Sequence, residues 1–170
     1  MSAPGTPPSV VVCEAVPGDV PAMVALLSVL FHQEADFVPD PARQRAGLEA
    51  LLATPGRARV LVARMDGDVA GMVSLQFLTS TAEGGPAALL EDLVVAPDRR
   101  GLGIGGALLE AARAVARTAG CTRITLLTDA DNAAAKRLYA RCGFRESAMV
   151  PMRAVLEEGT DRNQKGTDPF

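Results

Sequence analysis

Leu93-Val94-Val95-Ala96-Pro97-Asp98-Arg99-Arg100-Gly101-Leu102-Gly103-Ile104-Gly105-Gly106 is the stretch that decides the fold. An apolar strand runs through a short polar turn into a glycine-rich loop, Arg99–Gly106. That loop opens a helix whose apolar stripe is Ile104, Leu108, Ala111 and Val115, with Gly120 as its stop. Glycine lets a backbone approach a ligand closely. The first free N–H groups of a helix, together with its positive dipole end, form an anion site. A phosphate or pyrophosphate is the natural occupant. A turn that merely packs helix against sheet explains a lone Gly-x-Gly equally well.

Upstream of this stretch the signals are those of a meander. Val10-Val11-Val12 reads as a short strand, and Asp19 as the cap of a helix with Met23, Leu26, Leu27 and Leu30 at 3–4 spacing. Asp40-Pro41 starts a second helix, with Leu48, Leu51 and Leu52 on its buried stripe. Strands follow at Arg59–Arg64 and Val69–Leu78, joined by the hairpin signal Asp66-Gly67. A Gly-Gly-Pro turn then leads into a strand at Ala88–Val95. Downstream, Ile124–Thr128 reads as a strand. Ala135, Leu138, Tyr139 and Cys142 mark a helix capped by Asp131 or Asn132 and stopped by Gly143. Phe144–Leu156 has strand character, interrupted near Met149–Pro151. The expected order is β-α-α-β-β-β-α-β-α-β-β. That order argues for an α/β fold with a mixed, mostly antiparallel sheet flanked by helices on both faces.

A chain of 170 residues with 48% apolar content fits one well-buried domain. Residues 10–156 form that domain in this reading, and 1–9 and 157–170 are flexible tails. No apolar run is long enough to cross a membrane. The start, Met1-Ser2-Ala3-Pro4-Gly5, lacks the basic and apolar segments of a secretory signal. Cys13, Cys121 and Cys142 are odd in number and lack C-x-x-C spacing, so neither a disulfide framework nor a metal site is expected. A cytoplasmic location follows. A net charge of −3 argues against broad nucleic-acid binding and suits a cationic partner.

Three phosphate-binding patterns compete for the glycine loop. A P-loop needs Lys-Ser/Thr after its last glycine, where this chain has Ala107-Leu108. A dinucleotide fingerprint does match at Gly101, Gly103 and Gly106, with Asp129 at the end of the next strand. That fingerprint should begin at the strand end, however, and Ala96–Arg100 intervenes. A dinucleotide fold would also start with parallel strands rather than a meander, and too little chain follows to complete it. The third pattern fits better. Glu91–Gly105 resembles motif A of the GCN5-related N-acetyltransferases (GNAT), whose core Gln/Arg-x-x-Gly-x-Gly/Ala is met by Arg100, Gly103 and Gly105. A second motif of that family is matched downstream by Asn132-Ala133-Ala134-Ala135-Lys136-Arg137-Leu138-Tyr139-Ala140-Arg141-Cys142-Gly143-Phe144. The two motifs together span about residues 88–146.

The resemblance implies an acyl-CoA N-acyltransferase fold and transfer of an acetyl group from acetyl-CoA to a primary amine. In such proteins the sheet splays open beside the strand before the glycine loop. The pantetheine arm pairs there with the strand backbone, here Leu93, Val94 and Val95. The pyrophosphate would be held by the N–H groups of Leu102, Gly103, Ile104, Gly105, Gly106 and Ala107, with Gly101 and Arg100 beside them. Asn132 would contact the cofactor besides capping its helix, and Tyr139 would serve the departing sulfur. Dimers are frequent in the family, which leaves a homodimer open. A sensor with the same fold that binds acyl-CoA without turnover is the alternative, and it makes no use of Tyr139 or of an acid on the strand.

The proton acceptor is sought on the strand itself. Glu91 and Asp92 are acids in an apolar run, and a buried carboxylate is costly unless it is used or paired. Neighbouring strand residues point to opposite faces, so at most one of them should face the cleft. A salt bridge to Arg99, Arg100 or Arg123 explains these acids equally well. His32-Gln33-Glu34-Ala35-Asp36-Phe37 lies between the first two helices, where the family shapes its acceptor site. His32, Glu34, Asp36 and Phe37 are therefore the acceptor-site candidates, with a small cationic amine as the expected acceptor.

Overall fold

The structure, a computed structural model, describes residues 9–33, 38–154 and 156. Five strands form one sheet: β1 (Val10–Glu14), β2 (Ala58–Met65), β3 (Asp68–Ser80), β4 (Gly85–Val95) and β5 (Ile124–Leu126). They lie side by side in chain order. β1 through β4 pair antiparallel, and β5 joins β4 in parallel. The β2–β3 hairpin turns on Asp66 and Gly67, both with positive φ (54° and 91°), as a tight hairpin requires. The parallel sheet of a dinucleotide fold is thereby excluded.

Helices cover both faces. α1 (Val20–Phe31) and α2 (Pro41–Leu52) pack Met23, Leu26, Leu27 and Leu48 onto Val60, Val62, Met72 and Val94. α3 (Ile104–Thr118) and α4 (Ala133–Arg141) lie on the opposite face. There Ile104, Leu108, Leu109 and Ala112 meet Leu61, Ala63, Val73, Leu75 and Leu90. The alternation of β2 serves both layers, which is why nearly every residue of Ala58–Met65 is buried. Gly71 permits the close seating of α3. A Cβ there would lie 2.9 Å from Val94 O and 3.2 Å from both Ile104 Cγ2 and Leu108 Cδ1.

Asp40 caps α2 as expected, its Oδ1 accepting from the N–H groups of Ala42 and Arg43 at 3.0 and 3.1 Å. Asp19 stands at the cap position of α1 but its carboxylate does other work. It accepts two bonds from Arg64 Nη2 on β2, at 2.7 and 2.8 Å, and one from Val16 N at 3.0 Å. The start of α1 is thus fastened to the sheet.

The expected end of the chain is the main departure. Among the described residues of 144–156 none is in a strand. Met149, Val150, Met152 and Leu156 are at least 80% exposed. Pro151 has no N–H to give to a ladder, and β5, the strand that would receive a neighbour, is three residues long. The final β-β of the expected order is therefore replaced by coil in the described part. The tails expected at 1–9 and 157–170 lie, except for Ser9, outside the described residues.

Candidate active site

β4 and β5 separate early. Their pairing covers Ala88↔Ile124, Leu89↔Thr125 and Leu90↔Leu126 and then stops. From Glu91 to Val95, β4 keeps β3 on one side and has no strand on the other among the described residues. A cleft of about 840 Å³ opens there. Leu93, Val94 and Val95 form one wall, and Leu127, Thr128 and Asp129 the other. The strand expected to reach Thr128 ends at Leu126, which frees these last residues to line the cleft.

The glycine loop closes one end. Gly101 and Gly103 have φ of 80° and 81°, the left-handed region that glycine enters without strain. A Cβ added at either would meet nothing within 4 Å, so both face open space. Gly103 is the N-cap of α3 and no side chain caps that end. The N–H groups of Ile104, Gly105 and Gly106 precede the first intrahelical bond and stay available. Ala107 differs from its expected role, because its N–H already donates to Gly103 O at 3.1 Å. Leu102 is half exposed and does not line the cleft. Arg100 Nε donates to Val95 O at 3.2 Å, which brings the guanidinium alongside the loop. Arg99 is held by Asp66 and Asp98 at 3.6 and 3.4 Å, though it too lines the cleft.

α4 supplies the next part of the wall. Asn132 Oδ1 accepts from Ala135 N at 3.1 Å, so its cap role is real, and Asn132 also lines the cleft. Tyr139 lines it while packing edge-on against Phe144, with ring centroids 5.9 Å apart. Lys136 is turned away into an ion pair with Glu146 at 2.6 Å. Of the basic residues on this helix, Arg141 is the one at the cleft.

The two strand acids are arranged differently from the alternation rule. Val73 pairs with Leu93 and Leu75 with Leu90, so Ser74 faces two residues, Glu91 and Asp92. This is a β-bulge, which re-aims side chains locally. As a result both acids line the cleft. Asp92 Oδ2 accepts from Ser74 Oγ at 2.8 Å, and Ser74 Oγ in turn accepts from Asp92 N at 3.2 Å. Ser74 is fully buried. Burial pushes the Asp92 carboxyl above its ordinary value, opposed by the Ser74 hydrogen bond. Burial also raises Glu91, assisted by the neighbouring Asp92 charge and opposed by Arg153. Neither acid is paired with Arg99, Arg100 or Arg123, since Arg123 binds Glu83 at 2.7 Å.

A second cavity of about 470 Å³ lies under α1 and α2. Leu27, Leu48 and Leu51 give it apolar walls, and Gln44 a polar one. Phe31 and Asp92 line both cavities. Of the acceptor-site candidates, Glu34, Asp36 and Phe37 lie outside the described residues. His32 ends α1 with its Nδ1 2.6 Å from Ser28 O, and it lines neither cavity. Its neighbour Gln33 lines the cleft instead.

Sequence reasoning passed over Ser74, Gln44 and Gly71. Two of them carried a signal. Ser74 interrupts the apolar run Met72-Val73-Ser74-Leu75, and Gln44 occupies the position one helical turn before Leu48 on the buried stripe. A polar residue at a core position usually has an assignment.

Comparison with known proteins agrees with this geometry. Residues 23–144 match the acetyltransferase (GNAT) family model. The aminoalkylphosphonate N-acetyltransferase of Salmonella typhimurium is 32% identical over 139 residues, covering 80% of this chain and 87% of that protein. An aminoglycoside N(6')-acetyltransferase of Stenotrophomonas maltophilia is 30% identical over 140 residues, covering 81% and 87%. Among solved structures, an aminoglycoside N-acetyltransferase in complex with coenzyme A shares the fold, with a TM-score of 0.76 over 91% of this chain and 99% of that one, at 18% identity. The splayed sheet, the glycine loop at the start of α3 and the family match agree: the chain belongs to the GNAT family and is an N-acetyltransferase that takes its acetyl group from acetyl-CoA.

Proposed function

We propose that this enzyme acetylates a small cationic primary amine by direct attack, with Asp92 as the proton acceptor and Tyr139 as the partner of the departing sulfur. The observation that carries the reading is the position of Asp92, which lines both the cofactor cleft and the cavity under α1 and α2.

The residues present fit acetyl-CoA. The edge of Leu93–Val95 that no described strand covers offers backbone to an extended chain, with Val95 O already taken by Arg100 Nε, and the N–H groups of Ile104–Gly106 offer a cradle to a pyrophosphate. The empty space at Gly101 and Gly103 is what close phosphate approach needs. Arg100 adds positive charge beside the loop, and Asn132 a polar wall. When bound, acetyl-CoA supplies the thioester that the amine attacks.

The chain's own residues handle the protons. An alkylamine near pKa 10.4 is only about 0.1% neutral at pH 7.4. Glu91 and Asp92 attract the ammonium, and the carboxylate of Asp92 takes its proton, directly or through water. A carboxylate raised by burial holds that proton better than an exposed one. Ser74 fixes the orientation of the acid. Tyr139 donates a hydrogen bond to the sulfur as the C–S bond breaks. A cytoplasmic location is supported by Cys13, Cys121 and Cys142, all free thiols.

The test is thermal shift with acetyl-CoA and with NAD, followed by thiol release with a panel of amines. At 100 times its dissociation constant a ligand stabilises by about 2.7 kcal/mol, several degrees for a domain of this size. We expect that shift with acetyl-CoA, none with NAD, and turnover of cationic amines. No shift with acetyl-CoA, or a preference for anionic acceptors, overturns the proposal.

A further inference from the structure

Pro151 and Arg153 line the cleft, although they belong to the coil that follows α4. Their neighbours do not share this placement, for Met149 and Met152 are 86% and 96% exposed. The coil leaves α4 through two contacts: Phe144 packs edge-on against Tyr139, and Glu146 is paired with Lys136. Arg153 lies outside residues 23–144, the part of the chain that matches the family.

The charged residues along the cleft fall into two groups. Arg99 and Arg100 stand at the glycine-loop end, held by Asp66, Asp98 and Val95 O. Arg141 follows Leu138 by one helical turn, and Leu138 lies against Gly105 at that same end. Asp129 is on the far wall beside Asn132. Glu91 and Asp92 stand at the other end of the open stretch of β4, where β4 and β5 part. The strand rise sets Glu91 roughly 13 Å from Val95.

The two acids are not equivalent. Arg153 is the cation that acts on Glu91, where it opposes the effects of burial and of the Asp92 charge. No such cation acts on Asp92 among the described residues, and its partner is the neutral hydroxyl of Ser74. Glu91 and Arg153 both keep surface open to solvent, so a ligand can compete for either. This end of the cleft thus holds two carboxylates and one guanidinium, which leaves charge for one ammonium group. That ammonium goes to Asp92, the acid without a cation. A second ammonium on the same acceptor is drawn to Glu91 and must displace Arg153 or sit beside it, where like charges repel.

We propose that Arg153 is a specificity-determining residue: it offsets Glu91 at the acceptor end of the cleft, so that the enzyme prefers monoamines, with one positive charge, over amines carrying a second ammonium group. This rests on the acetyl-transfer reading above and adds the charge count of the acceptor.

The experiment compares hexylamine with hexamethylenediamine, and butylamine with putrescine, by thiol release. Each pair is assayed with the wild-type chain, Arg153→Gln, Arg153→Lys and the double variant Glu91→Gln/Arg153→Gln. In the wild type the monoamine of each pair should have the higher kcat/KM per amine group. In Arg153→Gln the ratio of diamine to monoamine should rise about three- to fivefold, the size of one exposed charge pair. The rise should come through a lower KM for the diamine, with the Kd of acetyl-CoA and the melting temperature unchanged, and should shrink in high salt. Arg153→Lys keeps the charge and should keep the wild-type ratio. The double variant should lose the gain, because the carboxylate released by Arg153→Gln is then absent. A ratio left unchanged by Arg153→Gln, a gain that persists in the double variant, or KM values that rise for both amines alike overturns the inference. So does a loss of acetyl-CoA affinity or of several degrees of stability in Arg153→Gln, which would make Arg153 a cofactor-binding or a structural residue. Failure of the acetyl-transfer reading looks different: acetyl-CoA would then give no thermal shift and no amine would release thiol.

Discussion

At the scale of single residues, Tyr139 and Asp92 separate packing from chemistry. Tyr139→Phe keeps the ring and its edge-on contact with Phe144, so folding and acetyl-CoA affinity should be retained. Its kcat should fall by about 10²-fold, the low end for a lost proton donor, if the hydroxyl serves the sulfur. Rapid-quench measurement of the chemical step checks this, and an unchanged rate returns Tyr139 to a packing role. Ser74→Ala probes the acid indirectly. The Ser74 hydrogen bond opposes the upward push of burial on Asp92, so its loss should move the rising, acid-side limb of the activity profile to higher pH. Ser74→Thr, which keeps a hydroxyl, should move it less. A profile unmoved by Ser74→Ala would make Glu91 or water the proton acceptor. The place of Tyr139 on the cleft wall was legible in the sequence because it falls inside a motif of fixed spacing. The partnership of Ser74 with Asp92 was not, because it depends on a bulge that shifts the register of two strands.

Elements explain where sequence reading succeeds. The glycine loop, α3 and the cap of α4 are local, since each is written in consecutive residues whose chemistry dictates a turn, a helix start or a cap. The parting of β4 from β5 is not local. It arises where the three-residue β5 stops, and no residue of Glu91–Val95 announces it. The alternation rule failed for Glu91 and Asp92 for the same reason: one extra residue in β4 cancels the period of two. The coil at 144–154 is the remaining failure, a stretch with strand-like composition whose only neighbouring edge among the described residues is the three-residue β5. The seating of α3 offers a check on the layer. Gly71→Ala would press a methyl against backbone at Val94 O, 2.9 Å away, with Ile104 and Leu108 closing in at 3.2 Å. Overpacking of this kind costs about 1–3 kcal/mol. We expect a fall of several degrees in melting temperature. Gly105→Ala meets the flexible tip of Leu138 at 3.0 Å and Val95 Cγ2 at an ordinary 3.9 Å, with no backbone in the way, so it should cost less. Equal losses in the two variants would mean that α3 is not seated as described.

For the whole molecule, the active site sets stability and activity against each other along the pH axis. Asp92 and Glu91 both have folded-state values above their ordinary ones, chiefly through burial. A group raised in this way binds its proton more tightly in the folded chain than in the unfolded one. Between its ordinary value, about 4, and its raised value, folding is therefore favoured by protonation, and stability falls as pH rises. Above the raised value the carboxylate is charged in both states and the penalty is complete. On the role proposed for Asp92, catalysis should run the other way, because only its charged form can accept a proton and turnover then rises through the same window. Asp92→Asn removes the charge while keeping an oxygen for Ser74. Relative to the wild type, its melting temperature should be unchanged or slightly lower near pH 4 and higher near pH 8, while kcat falls by about 10²–10⁴-fold at pH 8. Melting curves at the two pH values and a thiol-release assay measure both halves of the effect. A variant less stable than the wild type at pH 8 would mean that the Asp92 carboxylate is a structural anchor whose favourable contacts outweigh its desolvation, and the role of proton acceptor would then pass to Glu91.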